Sequence, residues 1–303
     1  MPDLITPSRA AQNPALAQLA VSGPAYLASL ISAAGDAIRR ATGRDFALGS
    51  YTEYHNGGIY IREPLRLRQF PVVQITRVAA SPRGALLVQN VDAVTNQRAT
   101  VETTSTGLRL VRVASAVATT LDLLYTDHPT ITSIASAINA IGSGWNATIR
   151  NGFDRWPSAD LKPLQGAMSA LNGSRDLEIY TESIGQLAGL PFMPDGSDEA
   201  SGAIGWRLDD ETGELYGRLP RGWLNIRIDY RAGFATIPQA VQEACVQLAA
   251  DLYQAGLVNN SLKKATLGAS SVELKDSTST PQLSAKVRLL LAPYVDYARV
   301  IFR

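Results

Sequence analysis

Between Trp223 and Tyr253 the hydrophobic period changes once, from two to about 3.6, and that change fixes a strand, a turn and a helix in that order. Leu224, Ile226, Ile228 and Tyr230 alternate with Asn225, Arg227, Asp229 and Arg231, the pattern of a strand with one face in a core and the other in water. Gly233 permits a sharp reversal, and Pro238 suits the first turn of a helix, where its missing N–H costs nothing. Val241, Ala244, Cys245, Leu248, Ala249 and Leu252 then line one helical stripe. Asp229 and Cys245 are the residues of this stretch able to do chemistry, and neither has a catalytic partner at recognisable spacing. The stretch reads as scaffold.

A chain of 303 residues, 46% hydrophobic and 18% charged, can bury one large core or two smaller ones, and its length favours two domains. The formal charge of +1 gives no overall field to recruit nucleic acid or an anionic membrane. Cys245 is the sole cysteine, which excludes an internal disulfide and fits a reducing compartment. Its place on the apolar stripe makes it a packed small hydrophobe. No apolar run approaches the ~18–20 residues that span a bilayer. The N-terminal residues lack the layout of a signal peptide, so a soluble, non-exported chain is expected.

An extended lead-in precedes a short helical turn near 14–21. A helix over 24–42 is marked by Pro24 at its start and Gly43 just past its end, with Leu27, Leu30, Ile31, Ala34 and Ile38 on one face. Strands at 51–54 and 59–62 flank His55-Asn56-Gly57-Gly58, which predicts a hairpin turn. Another strand starts after Pro71, and Ser81-Pro82-Arg83-Gly84 predicts the turn that closes it. Short strands are expected at 85–91, 98–103, 107–113 and 119–125, then a helix over 130–141, then strands at 145–150 and 177–181. Loop-rich composition marks 151–175 and 182–203. Pattern resumes at 204–208 with a return after Asp209-Asp210-Glu211-Thr212-Gly213, and a last helix over 282–292 ends at Pro293.

Catalytic and ligand motifs are sparse. His55 and His128, the second beside Asp127, are the only histidines, and with one helical cysteine they make a poor zinc set. Gly142-Ser143-Gly144 follows a helix, the wrong context for a phosphate loop. Asp209, Asp210, Glu211 and Glu214, like Asp195, Asp198 and Glu199, read as solvated acidic turns before they read as cation sites. Arg62, Arg66, Arg68 and Arg77 form a possible basic stripe, with a solvated strand face the stronger reading. Trp145, Trp156, Trp206 and Trp223 read mostly as core or interface anchors. No cofactor or metal is implied.

Two segments together carry a family resemblance. One runs Ile38-Arg39-Arg40-Ala41-Thr42-Gly43-Arg44-Asp45-Phe46, then Tyr51-Thr52-Glu53-Tyr54 and Phe70-Pro71-Val72-Val73-Gln74-Ile75-Thr76-Arg77-Val78. The other runs Gly213-Glu214-Leu215-Tyr216, Ile228-Asp229-Tyr230-Arg231-Ala232-Gly233-Phe234, then Ile237-Pro238 and its helix. In order and spacing they resemble the head–tail connector (adaptor) proteins of long-tailed bacteriophages, over roughly half the chain. The resemblance implies an α+β fold, a helical bundle core with a small antiparallel sheet. It implies a homo-oligomeric ring, a dodecamer, at the virion neck beneath the portal protein, assembled in the host cytoplasm. Genomic DNA would pass through the bore non-specifically, a tail-completion, stopper or tail protein would dock on the far side, and no membrane would be involved. Members of the family are usually shorter, and residues 85–203 have no counterpart in the pattern.

The expected organisation is therefore a discontinuous core, 1–84 plus 204–303, interrupted by an inserted β-rich module, 85–203. The resemblance makes the C-terminal segment the portal grip, which nominates Tyr294, Val295, Tyr297, Val300, Ile301 and Phe302. Gly43, Gly233 and Pro238 are the structural turns. The alternative is a tail, baseplate or fibre component whose insertion binds a receptor or sugar through Trp156 and Tyr180. A more distant rival is a hydrolase built on the acidic residues around 195–214, Asp209 and Glu211 above all.

Overall fold

The computed structural model describes residues 3–150, 152–187, 204–257, 264–267, 270–273 and 283–295. It begins with helices α1 Pro7–Ala10, α2 Pro14–Ser22 and α3 Pro24–Thr42. Strands β1 Gly49–Arg66, β2 Val72–Asn90, β3 Asn96–Thr103, β4 Gly107–Ala114 and β5 Val117–Leu124 follow. Next come α4 Ile131–Ile141, β6 Trp145–Ile149, a 3-10 turn at Ser158–Asp160, β7 Met168–Ser169 and β8 Arg175–Ser183. The described remainder holds β9 Gly205–Asp209, β10 Glu214–Ala232, α5 Gln239–Leu257, the short strands β11 Lys264–Leu267 and β12 Ser270–Glu273, and α6 Ala285–Leu291.

The helices start where chemistry provides a cap. Thr6 and Asn13 accept backbone N–H groups at the starts of α1 and α2, each with proline in the first turn. Thr130 and Ser133 form a reciprocal capping box at the start of α4. Gly43 closes α3 in the left-handed region at φ 73°. The face of α3 predicted to be apolar is buried against the stripe of α5, with Val287 and Leu291 of α6 in the same cluster.

The expected bundle core with a small sheet is overturned: strands make up 43% and helices 30%, and two large antiparallel sheets dominate. The first contains β1-β10-β2-β6, with β9 on β10 and β8 on β2. The second runs β5-β4-β3-β7. Sheet dominates because the strands are far longer than their sequence breaks suggest. The predicted hairpin at 55–58 lies inside β1, which runs on through Gly57. A Cβ on Gly57 would sit 1.6 Å from the Pro220 carbonyl oxygen, so glycine here admits close approach of β10 and does not turn the chain. The predicted turn at 81–84 is likewise interior to β2, where Ser81 has φ 53°. The β2–β8 register shifts between Gly84 and Leu86, and a bulge of this kind bends a strand without ending it.

β2 joins the two halves of the molecule. Its first part pairs with β10 through Ala79, and its last part pairs with β6 from Leu86 to Asn90. β8 covers its other edge from Ala79 to Val88. Residue 84 thus falls within a continuous strand. Buried side chains nevertheless separate into groups: a helical cluster, a cluster over β1, β2, β9 and β10, and a third drawn from 85–179 that includes Leu86, Val101, Leu110, Ile134, Trp145 and Ile179.

Candidate functional site

Arg227 and Asp229 stand two apart on the polar face of β10, and Arg77 stands on the neighbouring β2. The 3-10 turn delivers Asp160 to both arginines, with Oδ1 2.9 Å from Arg77 Nη1 and 2.8 Å from Arg227 Nη1. Arg227 Nε donates to Asp229 Oδ1 at 3.1 Å, and Thr52 Oγ1 on β1 donates to the same oxygen at 2.6 Å. Two positive and two negative side chains cancel. Burial by itself would push the Arg227 guanidinium down, but Asp229, Tyr54 and Asp160 hold it above its usual value. Tyr54 stacks on Tyr180, whose hydroxyl donates to the Leu224 carbonyl at 2.8 Å. Lys162 bridges Glu178 and the Trp223 carbonyl. These contacts clamp the 157–180 region onto β1, β2 and β10. They make a rigid joint whose polar groups hold one another.

On the opposite face of β1, Glu53 is buried and accepts from the Arg68 amide at 2.8 Å and from the Tyr230 hydroxyl, while His55 Nε2 lies 2.9 Å from its other oxygen. Burial pushes the Glu53 carboxyl up, yet the hydrogen bonds from His55, Tyr230 and Arg68 outweigh it and hold it below the ordinary 4.5. Tyr230 is pushed the other way, by burial first and by the same carboxylate second. A carboxylate with its acceptors so filled fixes β1 against β10 and orients His55.

The third assembly lies where helices meet sheet. The Arg44 guanidinium carbon sits 4.0 Å from the centre of the Phe70 ring, with Phe46 at 5.2 Å, Phe234 at 5.7 Å and Tyr294 at 6.0 Å. Phe46 and Phe234 stack, and Tyr294 meets Phe46 edge-on at 5.7 Å.

Of the nominated portal-binding residues, Tyr294 is therefore engaged within its own chain, and Val295 follows it half-buried. Tyr297, Val300, Ile301 and Phe302 lie outside the described residues. Gly233 has φ 107° with its N–H on the Pro71 carbonyl, and the Pro238 carbonyl accepts from Val241 and Gln242 at the head of α5. Cys245 is fully buried, and burial pushes its thiol up to about 12. Asp209 accepts the Glu211 and Thr212 amides in the β9–β10 turn, and Glu214 pairs with Arg66 of β1, so these two carboxylates already have partners within the chain. Among the described residues no group of metal-ligating side chains converges. Asp195, Asp198 and Glu199 lie outside them.

The arginine stripe is dispersed: Arg66 pairs with Glu214 and Arg77 with Asp160. Tyr180 is fully buried and Trp156 packs edge-on against Phe153, which removes Tyr180 as a sugar-stacking ring. Trp145 and Trp206 are core residues, whereas Trp223 is exposed. His128 uses its carbonyl to accept the Ser158 hydroxyl. Sequence reading missed Asp160, whose arginine partners are more than sixty positions away, and Glu53, whose Tyr230 partner is 177 positions away. The charged alternation of β10 was the only signal for the joint. Compared with known proteins, the chain matches no family model and no curated sequence. No helix among the described residues is long and apolar enough to cross a membrane.

Proposed function

We propose that this chain is a non-enzymatic head–tail connector that forms a ring between the portal and the tail-completion proteins of a tailed phage, with genomic DNA passing through the bore. The reading rests on the two segments that resemble that family. One observation supports it above the others: those segments, far apart in sequence, are folded into one unit. The Phe234 N–H donates to the Phe46 carbonyl at 2.8 Å, Ala232 pairs with Gly49, and Tyr230 pairs with Tyr51. Helix α3, the long strands and α5 are thereby locked together at the turns of Gly43 and Gly233. A ring subunit must keep its shape, because a repeated rotation closes only if each copy holds the same angle. The cancelled charges of the Asp160 joint and the filled Glu53 carboxylate give such rigidity.

The test is imaging of the purified full chain by electron microscopy. Rings with a central hole are expected, and a monodisperse monomer at every concentration would overturn the reading. For the portal grip, removal of 296–303 is the cleaner truncation, since it spares Tyr294 and its aromatic contacts. That variant should stay folded and lose co-assembly with portal-containing particles; undiminished co-assembly would sink the tail assignment.

A further inference from the structure

The sequence holds Asn-Gly steps at 56–57, 151–152 and 172–173. In such a step the glycine nitrogen can attack the asparagine side-chain amide, because glycine puts no Cβ in the way. Asn151 lies outside the described residues, and the structure treats the other two steps in opposite ways. Asn56-Gly57 lies inside β1, and both of its reacting groups are tied. The Gly57 N–H donates to Asn225 Oδ1 at 2.8 Å, and Asn56 Oδ1 accepts the Leu224 N–H at 2.8 Å. The Tyr60 hydroxyl donates to the Asn56 carbonyl, and Gly57 pairs with Gly222 of β10. Rotation of that peptide would break the ribbon.

Asn172-Gly173 lies in the turn between β7 and β8. Asn172 is exposed, with φ 54°, a left-handed conformation that asparagine tolerates. Its N–H donates to the carbonyl of the fully buried Asn90 at 2.9 Å, which anchors the turn on one side. Beyond that bond the step is untied. Among the described residues, the Asn172 side-chain amide, the Asn172 carbonyl and the Gly173 N–H make no hydrogen bond. A Cβ built on Gly173 would meet no atom within 4 Å. The peptide between them turns at little cost, as exposed turn tips do.

We propose that Asn172 is a self-modification site, where the folded chain deamidates through a succinimide without an enzyme. The Gly173 nitrogen gives its proton to hydroxide and bonds to Asn172 Cγ. The Cγ–Nδ2 bond breaks, and the departing nitrogen takes a proton from water and leaves as ammonia. Water then opens the ring. Attack at Cγ leaves an aspartate on the original backbone. Attack at the main-chain carbonyl carbon leaves an isoaspartate, in which the chain runs through the former side chain and gains a methylene. Either product puts a carboxylate where an amide stood, which cancels the formal charge of +1. The isoaspartate also lengthens the β7–β8 turn beside its Asn90 anchor. The site does not depend on the connector reading.

The test is peptide mapping by mass spectrometry of the full chain, kept folded in mildly alkaline buffer. The peptide holding Asn172 should gain the mass of an amide turned acid and split into two isomers, faster as pH rises. The peptide holding Asn56 should stay unchanged. In denaturant both should convert at comparable rates, since only the fold separates them. Gly173→Ala places its methyl group in open space, so the variant should keep its fold and convert several-fold more slowly. No conversion of Asn172 in the folded chain would overturn the proposal. So would equal conversion of Asn56 and Asn172 in the folded chain, or an unchanged rate in Gly173→Ala.

Discussion

The two sheets treat their edges in opposite ways. In the larger one, pairing of β1 with β10 is interrupted at three places, and two of its outer strands, β6 and β8, are hooded. Asn139 of α4 exchanges hydrogen bonds with both backbone groups of Ala147 on β6, and the Lys162 N–H caps the Glu178 carbonyl on β8. In the smaller sheet the last strand is regular and, among the described residues, bare. Bulges and covers block further strand addition, whereas a regular open edge invites it. The larger sheet is built to hold the chain together, and the smaller one ends in a regular strand.

The contrast can be broken most severely at Gly57. Gly57→Ala forces a methyl group into the Pro220 carbonyl, so a loss of about 3 kcal/mol or more is expected in denaturant unfolding. Stability within about 0.5 kcal/mol of the parent would show that the bulged ribbon tolerates separation. Next is Asp160→Asn, which leaves Arg77 and Arg227 without their shared counter-charge. Breaking a fully buried pair costs ~3–5 kcal/mol. Arg77 is 30% exposed, which reduces the expected loss to about 2–3 kcal/mol.

Glu53 sharpens the comparison through pH. Its carboxyl is held below the ordinary 4.5 in the folded chain, so its contribution is present above that value and fades as pH falls through the lower, folded one. Glu53→Gln should cost about 1–2 kcal/mol at neutral pH and flatten the acid limb of the stability curve. An acid limb identical to the parent's would remove Glu53 as its cause. The smallest effect belongs to Thr120→Pro on the β5 edge, where unfolding of the chain should change by no more than about 0.5 kcal/mol. A larger loss would mean that β5 already has a partner within its own chain.

Much of the element list was legible locally. The helices at 24–42, 130–141 and 238–256 follow from apolar spacing and caps, and the observed limits agree within a residue or two. The strands were legible in type but not in length. Gly57 and Ser81 carry turn chemistry, yet each sits inside a strand because a partner strand holds the backbone extended around it. The expected small sheet came with the family resemblance, and strands cut short at these turns gave no reason to enlarge it. The polar assemblies were the least legible, since Asp160 lies in a loop without any periodic signal.

The sequence by itself determined the strand, reversal and helix that run from Trp223 to Tyr253, because side-chain period, glycine and proline act within a few residues. It also determined that Cys245 would pack and not react, through its place on an apolar stripe. Only the tertiary structure decided that β1 continues through its glycines, that Asp160 bridges two arginines and that β5 is left uncovered among the described residues. Each of these depends on which backbone or charge arrives from a distant part of the chain, and local pattern holds no record of that arrival.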